Sequence, residues 1–216
     1  MNDTIETARL LLRPWKIGDI AEADSLFRYA SDPQIGLLCG WPPHQDAEES
    51  MNVIRDVFSP VEHNWAIIIR EATEAGVDAG VDEPVGCIEL KPLRHIDKDG
   101  DSDGSDFALV EHYARYVGGN ALELGYWIGR PFWGKGYMPE ALHAVLGYTF
   151  DTLHVDAVWG AHYTDNTQSG RVMEKCGMRV AGESKRNHFP LIDEYHDETL
   201  RIITADAWQA GRGVTR

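Results

Sequence analysis

The stretch Leu122–Leu153 constrains the fold of this 216-residue chain most, because it predicts a strand, a glycine turn and a helix in immediate succession. Its first residues alternate in the period-2 pattern of a strand, with these on one side: Leu122, Leu124, Tyr126 and Ile128. Pro131 ends the strand, and Pro139 suits the first turn of the helix that follows. Between them, Gly134 and Gly136 leave room for backbone N–H groups to converge. A glycine turn that leads into a helix N-terminus is an anion site, and the expected anion is a phosphate.

Two common phosphate motifs fit this turn poorly. A dinucleotide fingerprint needs a third glycine where the sequence has Pro139. A P-loop matches at Gly129, Gly134 and Lys135, but Gly136 occupies the place of the hydroxyl that binds magnesium. The sequence therefore disfavours nucleoside triphosphate chemistry, although a P-loop protein stays as an alternative.

A third motif fits more of the chain. The segment ELGYWIGRPFWGKGYMPEAL, residues 123–142, resembles the acetyl-CoA signature of the GNAT N-acetyltransferases, in particular the branch that acetylates ribosomal-protein N-termini. The resemblance implies that the turn binds the coenzyme A diphosphate, through these residues: Trp133, Gly134, Lys135, Gly136, Tyr137 and Met138. Trp133 and Met138 depart from the general family pattern, although a tryptophan at the first position is typical of this branch. The resemblance also implies that the backbone of Tyr126, Trp127 and Ile128 holds the acetyl carbonyl and the pantetheine arm.

A second family motif follows in the expected order. The segment Asp165–Met178, DNTQSGRVMEKCGM, resembles the family pattern Asn-x-x-Ser…Glu-Lys-x-Gly-Phe, with Met178 in place of the aromatic residue. In the family, the asparagine and the serine lie along the pantetheine arm, which implies this role for Asn166 and Ser169. Asn166 is also a good helix N-cap whatever the function, and Gly177 suits the end of that helix.

The resemblance covers most of the chain and implies an α/β (α+β) GNAT fold. Its central sheet is mixed, mostly antiparallel and splayed at the middle strand, and helices flank it. The other predicted strands are Ala8–Pro14, Trp65–Arg70, Pro84–Leu90, Ala157–Tyr163, Arg179–Glu183 and Glu194–Thr204, with a linker at Ser184–Asp193. Helices are predicted over Asp19–Ala30, with Ile20 on its apolar face, and from residue 46 or 47 to Phe58. We expect one domain over residues 1–210 and a frayed tail over 211–216.

An acidic insertion, residues 94–120, interrupts the family pattern. Asp99, Asp101, Asp103 and Gly104 match the first half of a calcium-binding loop, but its twelfth position is Val110. We therefore expect a solvated, mobile insertion rather than a calcium site.

Amine acetylation needs a deprotonated amine, a polarised thioester carbonyl and a protonated leaving thiol. Glu123, on the central strand, is the candidate base; the alternative is a structural carboxylate that holds a neighbouring backbone group or arginine. Ser169 is the candidate acid for the thiolate, with Tyr163 as its rival. Trp41 is a candidate for lining the acceptor pocket; the alternative is a tryptophan that packs in the core or against a loop.

The amino-acid composition limits the classes of partner that the chain is expected to bind. The formal charge of 20 minus 35, or −15, repels nucleic acid and favours a cationic amine, unless the acidity serves only solubility. The three cysteines are scattered along the chain, which predicts reduced thiols. The sequence contains no His or Cys motif of a metal site. It also lacks an apolar run of the kind that a membrane helix or a signal peptide needs. We therefore expect a cytoplasmic enzyme that uses acetyl-CoA on a protein N-terminal α-amine, with a homodimer possible by analogy. The alternatives are a small-amine acetyltransferase of the same fold, acting on an aminoglycoside or polyamine, and a non-catalytic acyl-CoA-binding module.

Overall fold

The computed structural model describes residues 4–70, 80, 82–93, 106–109, 111–117 and 119–213. The elements run in chain order as β1 (Ile5–Glu6), β2 (Leu10–Arg13), α1 (Ile20–Ala30), α2 (Pro33–Gly36), α3 (Ala47–Val53), β3 (His63–Ile69), β4 (Pro84–Pro92), β5 (Asp106–Leu109), α4 (Glu111–Ala114), β6 (Ala121–Ile128), α5 (Tyr137–Asp151), β7 (Ala157–Tyr163), α6 (Thr167–Lys175), β8 (Arg179–Phe189), β9 (Glu194–Thr204) and α7 (Ala205–Gly213). One turn of π-helix, Ile54–Phe58, extends α3, and one turn of 3₁₀-helix, Arg130–Phe132, follows β6.

The chain divides into two compact units. The first unit comprises the described residues up to Leu90 together with Tyr126–Ala144, and the second comprises those of Lys91–Gly125 and Val145–Arg216. In the first unit the strand order is β1-β2-β3-β4, followed by the end of β6. In the second unit it is β6-β7-β9-β8-β5, in which β6 and β7 are parallel and the other pairs are antiparallel.

The first unit buries both faces of its central strands. Leu10 and Leu12 of β2 are fully buried, and β3 is buried along almost its whole length, as a near-continuous apolar strand should be. Helix α1 begins at Asp19, whose carboxylate accepts the N–H of Ala21 at 2.8 Å. Its buried face includes Leu26, but Ile20, predicted on that face, is exposed at the first position of the helix.

The second unit has its own core, formed by side chains of α4, β6, β7, β8 and β9 and of the turn after α4. The buried members of this cluster are Val117, Ala121, Ala157, Trp159, Ala181 and Ile202. Helix α6 packs on β7, and α7 packs on β9. The predicted mixed, mostly antiparallel sheet with flanking helices is therefore confirmed.

Three predictions about local structure need correction, and one strand was missed. Strand β1 was not predicted. The segment 94–120, predicted to be a solvated, mobile insertion, contains helix α4 and strand β5. Strand β5 pairs with β8 from Asp106–Lys185 to Leu109–Gly182. The candidate calcium loop lies outside the described residues. The predicted linker Ser184–Asp193 is largely strand, and the predicted tail begins within α7, which reaches Gly213.

The longer β8 has a physical explanation. Its second half is polar on both faces, so apolar alternation gives no signal there. Backbone pairing with β9 continues nevertheless, through Asn187–His196 to Phe189–Glu194, after an irregularity between Ser184 and Asn187.

Candidate active site

The end of β6 is tied closely to its neighbours in the first unit. The N–H of Gly129 donates to the carbonyl of Val85 on β4 at 2.7 Å. A Cβ added at Gly86 would lie 2.5 Å from the carbonyl oxygen of Trp127, so β4 approaches this backbone more closely than a side chain allows. After the 3₁₀ turn, the indole Nε1 of Trp133 donates back to the carbonyl of Ile128 at 2.8 Å. The glycine turn therefore starts from a fixed strand end.

Gly134 and Gly136 both adopt the left-handed conformation that favours glycine, with φ of +75° and +80°. Helix α5 follows at once, and the N–H of Glu140 donates to the carbonyl of Gly136 at 3.2 Å. The N–H groups of Tyr137 and Met138 precede this bond, so helix geometry gives them no intrahelical acceptor. A Cβ added at Gly134 would meet nothing within 4 Å, so the turn is open on that side. These features fit the donor set that a diphosphate requires.

Met138, which departs from the family pattern, is buried, as is the neighbouring Tyr137. The extra bulk of Met138 therefore lies in the interior of the first unit. Its backbone N–H still belongs to the first turn of the helix, where it is available by geometry.

Arg9 and Glu140 hold the turn from the side of β2, and the sequence analysis missed both. The guanidinium of Arg9 donates through Nε to Glu140 Oε2 at 2.7 Å and through Nη1 to the carbonyl of Lys135 at 3.1 Å. The hydroxyl of Thr7 donates to Glu140 Oε1 at 2.6 Å. Burial raises the pKa of the Glu140 carboxyl, but the hydrogen bonds from Thr7 and Arg9 outweigh it and hold that pKa below its usual range. An acidic residue in the first turn of the predicted helix was the available signal.

Trp41 lies against the end of β6. The centroid of its ring is 6.2 Å from that of Trp127 in an edge-on arrangement, and the backbone N–H of Trp41 donates to the carbonyl of Gly36 at 3.0 Å. Beside it, His44 Nδ1 is 2.8 Å from the hydroxyl of Ser50, and burial lowers the pKa of His44. The packing role considered for Trp41 thus has observed contacts, while its role in lining an acceptor pocket stays a prediction.

In the second unit, Asn166 and Ser169 lie together at the start of α6. The side-chain oxygen of Asn166 accepts the N–H of Ser169 at 3.2 Å, so the predicted helix cap is confirmed. Gly177 after the helix has φ of +85°, as expected of a residue that ends a helix. Contact of the two side chains with pantetheine stays a prediction. Tyr163, the rival acid, is buried and stacks on His196 with ring centroids 4.0 Å apart.

Glu123 is buried on β6, opposite Trp159 in the parallel ladder with β7. The ammonium of Lys91 lies 3.8 Å from its Oε1. The structural alternative, a carboxylate paired with a neighbouring group, therefore has a cation in place, a lysine rather than an arginine. The role of Glu123 as base stays a prediction.

The sequence analysis also did not predict the residues that pack helix α6 against β7. Arg201 Nε donates to His162 Nε2 at 3.2 Å, and His162 Nδ1 is 2.8 Å from the carbonyl of Tyr163. Burial and the nearby Arg201 lower the pKa of His162, so its imidazole is neutral at pH 7. A Cβ added at Gly170 would lie 3.0 Å from this ring. The histidine and the glycine therefore set the distance between helix and strand.

The described part of the chain contains neither a candidate metal site nor a candidate membrane helix. No group of three or more His, Cys, Asp or Glu side chains in the described ranges could hold a metal ion. None of the helices in this part of the chain is long and apolar enough to cross a membrane.

Known proteins share the sequence pattern. The [ribosomal protein uS5]-alanine N-acetyltransferase of Escherichia coli is 32% identical over 115 residues, which span 52% of this chain and 58% of that enzyme's length. An uncharacterized N-acetyltransferase, p20 of Bacillus licheniformis, is 26% identical over 205 residues, or 93% of this chain and 92% of its own.

Solved structures share the fold. A GNAT-family acetyltransferase from Bacillus anthracis superposes with a TM-score of 0.68 at 22% identity, covering 94% of this chain and 99% of its own. The microcin C7 self-immunity acetyltransferase MccE, solved with acetyl-CoA and AMP, superposes with a TM-score of 0.65 at 15% identity. The superposition covers 92% of this chain and 93% of that of MccE. At these identities the likeness shows the fold alone.

The mixed sheet, together with the left-handed glycine turn before α5, defines a protein of the acetyltransferase fold. More specifically, the chain belongs to the Acetyltransferase (GNAT) domain family, whose pattern matches residues 9–179.

Proposed function

We propose that this chain is an acetyl-CoA-dependent N-acetyltransferase that acetylates a primary amine by direct attack in a ternary complex. The observation that supports it most is the pair of left-handed glycines, Gly134 and Gly136, at the start of α5 in a chain of this family. The proposed acceptor is a protein N-terminal α-amine.

The residues for binding acetyl-CoA follow from the family pattern and fit the local geometry. The backbone N–H groups of Gly134, Gly136, Tyr137 and Met138 would bind the diphosphate, aided by the positive end of the α5 dipole. The backbone of Tyr126–Ile128 would hold the acetyl carbonyl, and Asn166 and Ser169 would contact pantetheine. The co-substrate supplies a thioester as the acetyl donor.

The chemistry that the protein supplies is proton transfer and electrostatic stabilisation. A backbone N–H at the end of β6 would stabilise the negative charge that develops on the acetyl oxygen. Glu123 would accept the proton that the amine loses, directly or through water, and the Ser169 hydroxyl would donate a hydrogen bond to the leaving sulfur. An α-amine has a pKa of about 8 and a lysine side chain one of about 10.4. At neutral pH an α-amine therefore needs less help from a base to lose its proton.

Two observations support an amine on a protein as the acceptor. The E. coli relative is, by its name, an N-acetyltransferase that acts on an alanine of ribosomal protein uS5. The net charge of −15 favours cationic acceptors such as a protonated amine. The charge also favours small cationic amines, whereas the name of the E. coli relative favours a protein acceptor.

The acceptor class is tested by measuring CoA thiol release with a panel of amines. The panel contains peptides with free N-terminal alanine or serine, the same peptides blocked at the N-terminus but carrying an internal lysine, polyamines and aminoglycosides. We expect turnover with the free α-amine peptides and a large loss with the blocked ones. Turnover confined to polyamines or aminoglycosides would instead establish the small-amine alternative.

Binding is tested separately by thermal unfolding with acetyl-CoA, CoA, ATP or GTP. We expect acetyl-CoA and CoA to raise the midpoint, because a ligand that binds only the folded state stabilises it. Binding of acetyl-CoA without turnover across the whole panel would support a non-catalytic module. Stabilisation by ATP or GTP alone would overturn the proposal in favour of a P-loop protein.

A further inference from the structure

Arg9 connects the turn between β1 and β2 to the glycine turn before α5. Its Nη2 lies 2.6 Å from Glu140 Oε2, and its Nη1 donates to the carbonyl oxygen of Lys135 at 3.1 Å. Its guanidinium carbon lies 4.6 Å from the centre of the Tyr137 ring, within the range of a cation–π contact. One planar side chain thus contacts three successive parts of the turn and helix start.

The contact with Lys135 has a consequence for the next residue. In a planar trans peptide, the carbonyl and the following N–H point in opposite directions. Holding the Lys135 carbonyl toward Arg9 therefore turns the N–H of Gly136 away from Arg9. We propose that Arg9 is a positioning residue that aims the Gly136 N–H at the bound diphosphate. The inference rests on the proposed function, since it assigns a task within acetyl-CoA binding.

Glu140 keeps Arg9 in this position. Besides two bonds from the guanidinium, its carboxylate accepts the backbone N–H of Arg9 at 2.9 Å and the hydroxyl of Thr7 at 2.6 Å. The N–H of Leu10 in turn donates to the Thr7 hydroxyl at 2.9 Å. The carboxylate thus fixes both the backbone and the side chain of Arg9, and it neutralises a charge that would otherwise be drawn to the ligand's phosphates.

Arg9 contacts neither the amine nor the thioester in this assignment, so its effect depends on whether the donor carries a diphosphate. The test compares acetyl-CoA with S-acetylpantetheine, which has the same thioester but no diphosphate. Affinity for acetyl-CoA is measured by isothermal titration calorimetry, and kcat/KM is measured with both donors. The variants are Arg9→Ala and Arg9→Lys. The matched control is Arg70→Ala, which removes another surface ion pair of the first unit, Arg70 with Glu6 at 2.8 Å.

We expect Arg9→Ala to weaken acetyl-CoA binding about tenfold, equivalent to about 1.4 kcal/mol. Its kcat/KM should fall similarly with acetyl-CoA and stay within about twofold of wild type with S-acetylpantetheine. Arg9→Lys should still bind at least about threefold more weakly, because one ammonium cannot reproduce the fork that joins Glu140 and Lys135. Arg70→Ala should match wild type with both donors.

The outcomes separate this inference from the function it depends on. If the wild-type protein binds no acetyl-CoA, the proposed function itself is wrong. If the wild type binds acetyl-CoA and both Arg9 variants bind it as tightly as the wild type, the positioning role is wrong and the proposed function stands. Equal losses of kcat/KM with both donors would show a general structural role and would also overturn the assignment. Far-UV circular dichroism verifies folding, and Arg9→Lys decides the test if Arg9→Ala does not fold.

Discussion

Replacing Gly134 by alanine tests whether the left-handed turn presents donors to a ligand. Gly134 has φ of +75°, and an added Cβ would meet nothing within 4 Å. The change therefore introduces no clash, and its whole effect comes from the backbone conformation. An L-residue in this region costs roughly 1–2 kcal/mol relative to glycine. Gly134 is exposed, so we expect the turn of the alanine variant to leave the left-handed conformation in the free protein. The conformational cost is then incurred when acetyl-CoA binds and restores that conformation.

A cost of this size predicts acetyl-CoA binding weakened by about 5- to 30-fold, measured by isothermal titration calorimetry. Gly134→Asn should lose less, because asparagine adopts this conformation more readily. Gly18→Ala is the matched control: Gly18 has φ of +77° and equally open surroundings, but it lies before α1. Wild-type affinity in Gly134→Ala, or an equal loss in Gly18→Ala, would refute the reasoning.

Four further predictions concern other residues of the chain. Glu140 has a lowered pKa in the folded state, so the stability it contributes is present above its unfolded pKa of about 4.3 and is lost as pH falls through the folded value. The difference in unfolding free energy between wild type and Glu140→Gln should therefore shrink between pH 7 and pH 3, and a constant difference would contradict this. Gly147→Ala, inside α5 with its new Cβ no closer than 3.7 Å to another side chain, should stabilise the fold by about 0.5–1 kcal/mol in urea unfolding. Gly170→Ala should instead destabilise it by about 1–3 kcal/mol, since its Cβ would lie 3.0 Å from the His162 ring; equal effects of the two substitutions would argue against the packing described. Ser169→Ala should lower kcat more than it changes the affinity for acetyl-CoA, and unchanged turnover would remove Ser169 from the mechanism.

Strong local patterns in the sequence were sufficient to predict much of the fold. Alternation predicted β6, and the boundaries of β7 agree with the predicted strand Ala157–Tyr163. Capping chemistry predicted the start of α6 at Asn166, and the predicted helix Asp19–Ala30 agrees with α1 and its N-cap Asp19. The π turn at Ile54–Phe58 was not predictable, because its residues also fit a regular helix.

Elements without apolar alternation were missed. The second half of β8 and the short strand β5 are held by pairing between strands, which depends on residues far away in the chain. In the same way, the sequence predicted the glycine turn and Asn166 but neither Arg9 nor His162. The partners of these two side chains, Glu140 and Arg201, are 131 and 39 residues away, and pairings at such separations leave no local pattern.

The central claim is that backbone N–H groups between Gly134 and Met138 bind the diphosphate of acetyl-CoA. The most direct measurement is a ¹H–¹⁵N NMR titration of the assigned protein with acetyl-CoA and, in parallel, with S-acetylpantetheine. We predict that the amide signals of Gly134 and Gly136 shift strongly downfield with acetyl-CoA and little with S-acetylpantetheine. Amide signals that stay in place at saturating acetyl-CoA would contradict the account.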